Sequence, residues 1–278
     1  MLTRILLVLS YITWSFRFRI GPWKYFQLNA NYFNEDLELF SKLDMDLQIP
    51  EKWRLAQFVD QTDRLPESFP VFIKPEWGQN SQGIVRADNE EQLNQHRQQR
   101  QKNGPRYLIQ AAAQGQREFE IFYIPGAQTN QSSAIISITE TCNRSNDVMP
   151  INGINNRDTS YRSCMSELNA QQIEKIEHIF GCIGDFKIAR YCARADSLQA
   201  LLDEQFSIVE INIYVPMPLI LLVKNISFKE KVNFIFSTMR QLALVTKDIP
   251  ASQAVKSVFF KKLQSARLLK ANAKNRQS

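Results

Sequence analysis

The sequence predicts an α+β fold, because it contains both strand-like runs and amphipathic helices. One observation is the stretch 69–84, FPVFIKPEWGQNSQGI, where an apolar run of strand length leads through a glycine-containing loop into a second apolar segment. Another is the alternation of polar and apolar residues over 206–218, FSIVEINIYVPMP, which is typical of a strand. A third is the helical spacing of apolar residues over 169–180 and 227–245.

Composition places the chain among ordinary globular proteins. Its 278 residues suffice for one domain or two lobes, and 44% hydrophobic with 22% charged residues are usual values. The net charge of +6 suits an anionic nucleotide, whereas no sequence signature of a nucleic-acid-binding fold is present, so we expect no nucleic-acid partner. The four cysteines show no paired spacing, which favours a reduced, cytoplasmic protein.

The N-terminal residues 5–14 form an apolar run between Arg4 and Arg17. This run is shorter than the roughly 20 residues that a membrane-spanning helix needs. We therefore expect a buried or interfacial element that packs on the protein. A membrane-surface anchor and a secretory signal are the alternatives.

Strands are predicted next at 69–73, 84–85, 107–112 and 119–124. Between the second and third of these, Asp88 followed by Glu91 has the pattern of a helix N-terminus, with Asp88 as the capping residue. This part therefore predicts a small sheet with one short helix.

The second half of the chain starts with a predicted strand at 132–140, and a further strand is predicted at 186–194. Helices are predicted behind two capping pairs, Asn169 with Gln172 and Ser227 with Glu230. The C-terminal residues from 253 onward are basic and predict a helix with a solvated tail. Contact with an acidic protein or a lipid surface is the alternative.

The hairpin at 69–84 carries residues that could bind phosphate. Lys74 ends the apolar run, and the loop after it contains Gly78, Asn80, Ser81 and Gly83. Backbone N–H groups in such a loop can surround phosphate oxygens, and the lysine adds a mobile positive charge. The alternative is an ordinary hairpin with a polar loop.

The strand at 206–218 places Glu210 and Asn212 on one face, and Val209 and Ile211 on the other. A carboxylate and an amide oxygen side by side are ligands that Mg²⁺ accepts, although an exposed polar strand face is the alternative. We expect the charge of Glu210 to be balanced only when metal and phosphates are bound. Glu210→Gln should then change the stability of the free protein little.

Three segments, at 69–84, 107–124 and 186–218, together resemble the ATP-grasp superfamily in order and spacing. The resemblance is to carboxylate–amine ligases related to D-alanine–D-alanine ligase and the glutamate ligases. It implies a two-lobed α+β fold with ATP and Mg²⁺ between the lobes. It also implies an amide-forming reaction through an acylphosphate, with a small carboxylate and an amine, such as an amino acid or a peptide-like molecule, as substrates.

The resemblance divides the chain into four parts. They are a truncated or replaced N-terminal region at 1–65, a small lobe at 66–125, a large lobe at 126–250 and a basic C-terminal helix or tail at 251–278. Within the polar segment 141–162, Arg144, Arg157 and Arg162 are implied candidates for holding a substrate carboxylate, against a mobile surface loop as the alternative.

Further site residues follow from the same resemblance. Gln110 stands near the hinge position where relatives often carry a glutamate that contacts the nucleotide, and Glu118 or Glu120 is a candidate for nucleotide or metal contacts. Arg190 or Arg194 is implied to stabilise the transferred phosphoryl group.

Cys192 departs from the family pattern, because it stands where relatives carry a metal-binding aspartate. Asp185 or Asp196 could replace that aspartate, or one metal site is weakened. The departure and the short N-terminal region favour an alternative function, a non-catalytic nucleotide-binding or interaction protein. Lys74 and Glu210, which are retained, favour the ligase.

Overall fold

The computed structural model describes residues 2–61, 63–78, 81–100, 105–128 and 133–259. Its α-helices are α1 (Leu2–Arg17), α2 (Lys42–Asp46), α3 (Glu90–Gln98), α4 (Ala170–Gly181), α5 (Leu198–Leu202) and α6 (Phe228–Lys247). Its strands are β1 (Gln57–Val59), β2 (Val71–Pro75), β3 (Val85–Ala87), β4 (Tyr107–Ala111), β5 (Arg117–Ile124), β6 (Ile135–Asn143), β7 (Thr159–Ser163), β8 (Ala189–Ala195) and β9 (Ser207–Asn212). Short 3₁₀ turns lie at Pro22–Gln27, Ala30–Tyr32, Glu51–Trp53, Met165–Glu167 and Leu219–Leu222.

The first four strands form one antiparallel sheet in the order β1-β4-β2-β3. Its apolar face packs on α3 through Val71, Ile73 and Leu93. The predicted strand at 69–73 is displaced by two residues, so Lys74 lies inside β2 and pairs with Leu108 instead of following the strand. We call this sheet with α3 the small lobe, and the other sheet with its helices the large lobe. The bounds of the small lobe differ from the predicted 66–125, because β1 (Gln57–Val59) belongs to this sheet and β5 (Arg117–Ile124) belongs to the other one.

The N-cap of α3 is Asn89, one residue later than the sequence predicts. The Asn89 side chain accepts a hydrogen bond from the backbone N–H of Gln92, while the Gln92 side chain accepts one from the N–H of Asp88. Asp88 instead forms an ion pair with Arg86. The helix therefore starts on an amide cap, although the pattern Asp88–Glu91 pointed to a carboxylate cap.

The other five strands form a second antiparallel sheet in the order β7-β6-β5-β8-β9. One face of this sheet is apolar and packs on α4 and α5, with Phe119, Ile121 and Tyr191 fully buried. The opposite face carries polar side chains from β5, β8 and β9, which include most of the candidate site residues. The structure thus has the α+β class and the two sheets that the sequence predicts.

Both capping pairs predicted from the sequence are present as reciprocal capping boxes. Asn169 and Gln172 start α4, and Ser227 and Glu230 start α6. Each box satisfies N–H groups that a helix N-terminus would otherwise leave without partners.

The N-terminal apolar run is part of α1, which packs along α6. Tyr11 of α1 is buried, and its hydroxyl lies 3.1 Å from Oγ1 of Thr246. The outward side of α1 keeps Leu2, Val8 and Leu9 exposed. Among the helices of the described residues, none has the length and apolar character needed to cross a membrane.

Only the first residues of the C-terminal part, up to 259, are described, and residues 260–278 lie outside the described residues. Within the described part, Val258 is buried against Ala30 and Phe33. Lys256 forms an ion pair of 3.0 Å with Glu35. This segment thus packs on the N-terminal region.

Gly115, between β4 and β5, adopts a left-handed conformation with φ of 100°. A Cβ atom there would lie 2.8 Å from backbone atoms of Ala195. The connection between the two sheets therefore requires glycine at this position.

We expect Gly115→Ala to lower the melting temperature by about 2–5 °C, from the roughly 1–3 kcal/mol cost of such backbone strain. Gly78→Ala is the matched control, because its φ is not positive and the nearest atom to its added Cβ would be a Pro75 ring carbon, at 3.1 Å. Thermal unfolding followed by circular dichroism measures both. An equal effect of the two substitutions on the melting temperature would contradict the requirement for glycine at position 115.

Candidate functional site

Lys74 lies on β2 in the space between the two sheets. It is only 4% exposed, and its Nζ donates a 3.4 Å hydrogen bond to the carbonyl of Val209 on β9. Burial lowers the Lys74 pKa to about 8, while the Glu210 carboxylate opposes this effect and Lys42 adds to it. Burial therefore destabilises the positive charge of Lys74 in the free protein, and an anionic ligand would stabilise that charge.

A β-bulge presents the Val209 carbonyl to the small lobe. Cys192 pairs with Glu210 and Ala193 with Ile208, so Val209 is the extra residue on β9. Its carbonyl also accepts a 3.1 Å hydrogen bond from Nε2 of Gln110. These two bonds join the lobes.

The bulge interrupts the alternation of side chains between the two faces of this strand that the sequence predicts. Val209 and Ile211 do not share a face. Instead, Ile208 and Ile211 both enter the core, because the extra residue shifts the period. Glu210 and Asn212 remain neighbours, and Asn212 donates a hydrogen bond that helps to lower the Glu210 pKa.

Lys42, the first residue of α2, belongs to the same cluster, and the sequence analysis missed it. Its Nζ lies 3.4 Å from Oε1 of Glu210 and donates to the carbonyls of Pro75, at 3.2 Å, and Gly78, at 3.4 Å. Two ammonium groups, those of Lys42 and Lys74, thus converge near one carboxylate beside the glycine-containing loop. A single lysine in a short helix gives no sequence signal for this role.

Glu210 has a partner before any ligand binds. Burial would raise its pKa, but Lys42, Lys74 and Arg190 outweigh this effect and lower it below the ordinary value. The expectation that the Glu210 charge is unbalanced in the free protein is therefore wrong. Glu210→Gln should destabilise the free protein, because it leaves the buried ammonium group of Lys74 and the partly buried one of Lys42 without their carboxylate.

Glu76 fixes the start of α2 and so positions Lys42. The Ser41 hydroxyl donates to Oε1 of Glu76 at 2.5 Å and accepts from the N–H groups of Leu43 and Asp44. Arg106 holds the same Glu76 carboxylate, which is 3% exposed. The sequence analysis did not identify Glu76 either.

The glycine-containing loop contacts the large lobe. Ser81 and Gly83 have positive φ values of 59° and 75°, and the Ser81 hydroxyl donates to the carbonyl of Asn152. Gly78 lies beside Lys42, whose Nζ donates to its carbonyl, and Asn80 is outside the described residues. The start of the loop therefore contacts the lysine cluster.

Glu118 lies on the polar face of the large sheet, next to Cys192. Its Oε2 accepts a 3.0 Å hydrogen bond from the side chain of Asn152. Burial raises the Glu118 pKa, although the Asn152 hydrogen bond and the charge of Arg194 oppose the shift. Asn152, whose carbonyl also binds Ser81, is a further residue that sequence reasoning missed.

Cys192 occupies the centre of this acidic face as a neutral thiol. Burial and the neighbouring carboxylates of Glu118 and Glu210 raise its pKa well above the ordinary value. Neither proposed replacement for the missing aspartate is nearby. Asp185 pairs with Lys187, and Asp196 accepts a hydrogen bond from the N–H of Gln116 in the inter-sheet connection. The carboxylates that lie near Cys192 are those of Glu118, Glu120 and Glu210.

The two candidate arginines have different partners. Arg190 pairs through Nε with buried Glu120 at 3.0 Å and donates to the carbonyl of Met217. Arg194 is 7% exposed, and its Nε has no hydrogen-bond partner among the described residues. Arg194 is therefore the arginine with an unused buried donor that an anion could bind.

The arginines of the segment 141–162 do not converge on a shared site. Arg162 lies on β7 and pairs with Glu140 and Glu167, while Arg144 donates to the carbonyl of Arg157 at 2.7 Å. Arg162 is thus already paired with two carboxylates, and its role in holding a substrate carboxylate stays a prediction.

The space beside the lysine cluster is small in this conformation. The cavities that contact Lys42 and Glu210 have volumes of about 10 and 40 Å³. Ligand sites usually have volumes of roughly 300–1,000 Å³. A nucleotide can enter only if the lobes separate and the bonds to the Val209 carbonyl break.

The oxygen atoms near the lysine cluster are suited to a Mg²⁺ ion that binds together with phosphates. They are less suited to a permanently bound metal. Among the residues that the structure describes, no group of three or more His, Cys, Asp or Glu side chains could hold a metal. Glu210 and Asn212 supply two oxygen ligands, and Glu118 lies close by. Mg²⁺ is commonly bound by one or two carboxylates together with substrate phosphates.

Solved structures that are similar to this chain include three amino-acid ligases. A D-alanine–D-alanine ligase from Bacillus anthracis complexed with ATP is 16% identical, with a TM-score of 0.47, over 73% of this chain and 67% of that chain. An L-amino acid ligase from Bacillus licheniformis is 16% identical, with a TM-score of 0.46, over 73% and 47%. VanG D-Ala:D-Ser ligase from Enterococcus faecalis is 13% identical, with a TM-score of 0.45, over 72% and 61%.

These ligases are of the kind that the sequence motifs resemble. The chain spans about half to two thirds of their length, with matches covering 47%, 61% and 67% of the three chains. No protein-family model and no curated protein matches the sequence.

Two carboxylates with opposite pKa shifts, those of Glu120 and Glu140, make the stability of the protein depend on pH. Burial raises the Glu120 pKa to about 7 from 4.5, so its contribution to stability is present below pH 4.5 and lost as the pH rises through 7. Glu140 behaves in the opposite way, because Arg117 and Arg162 overcome burial and lower its pKa. Its contribution is present above pH 4.5 and lost on acidification.

We therefore expect Glu120→Gln to raise the melting temperature at pH 8, or to lower it less than it does at pH 5, relative to the unsubstituted protein. Glu140→Gln is the control and should be more destabilising at pH 8 than at pH 3. Melting curves across this range measure both. Parallel pH profiles for the two variants would contradict the assigned pKa directions.

Proposed function

We propose that this protein is an ATP-dependent carboxylate–amine ligase. The observation that carries the proposal is the convergence of Lys42 and Lys74 with Glu210 beside a glycine-containing loop, between two sheets. Two lysines suit the phosphates of a nucleotide, and backbone N–H groups of such a loop could add to them. The resemblance of the sequence motifs to ATP-grasp ligases supports the same reaction class.

In the proposed reaction, an oxygen of the substrate carboxylate attacks the γ-phosphorus of ATP, and ADP leaves. The amine nitrogen then attacks the acyl carbon, phosphate leaves, and the amine loses a proton as the amide forms. Mg²⁺ bound with the nucleotide would neutralise phosphate charge. Glu210 and Asn212 would hold this ion, with Glu118 as the neighbouring carboxylate.

The protein's own cations supply the rest of the charge stabilisation. Lys42 and Lys74 would exchange Glu210 and the Val209 carbonyl for phosphate oxygens. Arg194 would donate its unused Nε to the transferred phosphoryl group, where a buried donor is most effective. Arg190, held by Glu120, would orient the substrate carboxylate instead.

Binding requires a conformational step, because the cleft lacks room for ATP. Separation of the lobes would break the hydrogen bonds from Gln110 and Lys74 to the Val209 carbonyl. Closure over the bound nucleotide would then exclude water from the acylphosphate, which hydrolyses readily.

A second candidate is a non-catalytic nucleotide-binding protein. The specific observation that favours it is Cys192, a neutral thiol at the position where the related ligases carry an aspartate. Such a protein would bind Mg·ATP through the two lysines without releasing ADP. ADP release with a panel of carboxylic acids and amines separates the two functions.

We expect Mg·ATP to raise the melting temperature of the purified protein and Lys42→Met or Lys74→Met to remove that rise, because the phosphates lose their cations. Lys52→Met is the control, since Lys52 is an exposed surface residue paired with Glu204. Lys74→Met should leave the ligand-free melting temperature unchanged or raised, because burial disfavours the Lys74 charge.

Two results would contradict this assignment. One is a normal Mg·ATP response in both lysine variants, and the other is loss of the response in Lys52→Met alone. ADP release that depends on both an acid and an amine would support the ligase over the non-catalytic alternative.

A further inference from the structure

A large apolar cavity of about 710 Å³ lies between α1, α6 and the segment 214–218. Its volume falls within the range of roughly 300–1,000 Å³ that small-molecule sites occupy. The walls are mainly aliphatic and aromatic. They include Leu7, Val8, Ile12, Phe26, Met217 and Met239.

The charged side chains among the described residues that line this cavity are all positive. Among the described residues that line it, Arg4 and Arg190 are charged and none is a carboxylate. Arg190 pairs through Nε with Glu120 and donates from Nη1 to the Met217 carbonyl, which holds its guanidinium at the cavity wall. An apolar cavity with cationic groups at its wall fits a ligand with an apolar body and an anionic head.

The inner end of the cavity reaches the proposed phosphoryl site. Arg190 on β8 pairs in register with Asn212 on β9, and both residues line the cavity. Asn212 hydrogen-bonds Glu210, which belongs to the lysine cluster. A carboxylate bound by Arg190 and Asn212 would therefore lie beside the proposed phosphate-binding groups.

The outer end of the cavity is bordered by exposed apolar side chains. Val8 is 58% exposed, Trp23 is 72% exposed and Val215 is 53% exposed, and all three line the cavity. Val215 also has a φ of 48°, a strained conformation for a β-branched residue. Such strain is concentrated at ligand-binding sites.

We propose that this cavity binds the unbranched aliphatic chain of a carboxylic acid, with its carboxylate at Arg190 and Asn212. This inference rests on the proposed ligase function and names its acid substrate as a medium- or long-chain aliphatic acid. The chain would extend from Arg190 along the side of α1 that faces the cavity. An α-amino acid would leave most of this apolar volume unused.

Binding of straight-chain carboxylates from hexanoate to dodecanoate, measured by calorimetry without ATP, tests the site. Affinity should rise about fourfold per added methylene, as expected for burial of each CH₂ group. Alcohols and trimethylammonium compounds of the same chain length test the head group, and they should bind at least tenfold more weakly than the acids.

Val8→Trp and Leu9→Trp form a matched pair of variants. Both residues are on α1 and similarly exposed, at 58% and 55%, but only Val8 lines the cavity. Val8→Trp should reduce the affinity for dodecanoate at least tenfold, and Leu9→Trp should change it less than twofold. Because both side chains are at the surface, both variants should fold, which circular dichroism verifies.

Three results would overturn the site: no saturable binding, affinity independent of chain length, or equal effects of the two tryptophan variants. ADP release in the presence of a bound acid, ATP and an amine supports the substrate role. Chain-length-dependent binding with ADP release only for short acids overturns that role. Binding of long acids with no ADP release for any acid overturns the ligase and retains the cavity as a binding site.

Discussion

The arrangement of the two lobes depends on an ion cluster. In this cluster one carboxylate, that of Glu210, faces the ammonium groups of Lys42 and Lys74. Buried ammonium groups are costly unless an anion faces them. Glu210 supplies that anion in the free protein, 3.4 Å from Nζ of Lys42. The other features of the site hold these charges in place. Glu76 fixes the helix start that carries Lys42, and the bulge at Val209 gives Lys74 a carbonyl acceptor.

The same cluster explains how a closed cleft can still be a nucleotide site. Contacts between the lobes at this point include polar ones, such as those of Gln110 with Val209 and of Ser81 with Asn152. Polar contacts exchange for water at a small net cost, so these bonds oppose opening only weakly. Phosphate oxygens can then replace the protein acceptors of the lysines. The adjoining apolar cavity, already open at its rim, places an acid chain against the same sheet edge.

Sequence reasoning identified the elements whose signals are local. The capping pair Asn169–Gln172 and the neighbouring pair Glu210 and Asn212 were predictable, because hydrogen-bonding patterns over three residues and alternation over two are visible in the chain itself. Lys42 and Glu76 were missed because their roles arise from contacts between distant segments, such as that between residues 42 and 210. Alternation also failed at the bulge, since a single extra residue in β9 leaves no mark in the sequence pattern.

Proton uptake on nucleotide binding tests the central claim most directly. Calorimetric titration of a non-hydrolysable Mg·ATP analogue at pH 8.5, in buffers with different ionisation enthalpies, measures it. Burial places the Lys74 pKa at about 8, so the free lysine is partly neutral at this pH, and phosphates would restore its charge. We expect net uptake of a fraction of a proton in the unsubstituted protein and its loss in Lys74→Met. Binding without proton uptake, or equal uptake in the variant, would contradict the placement of Lys74 in the phosphate site.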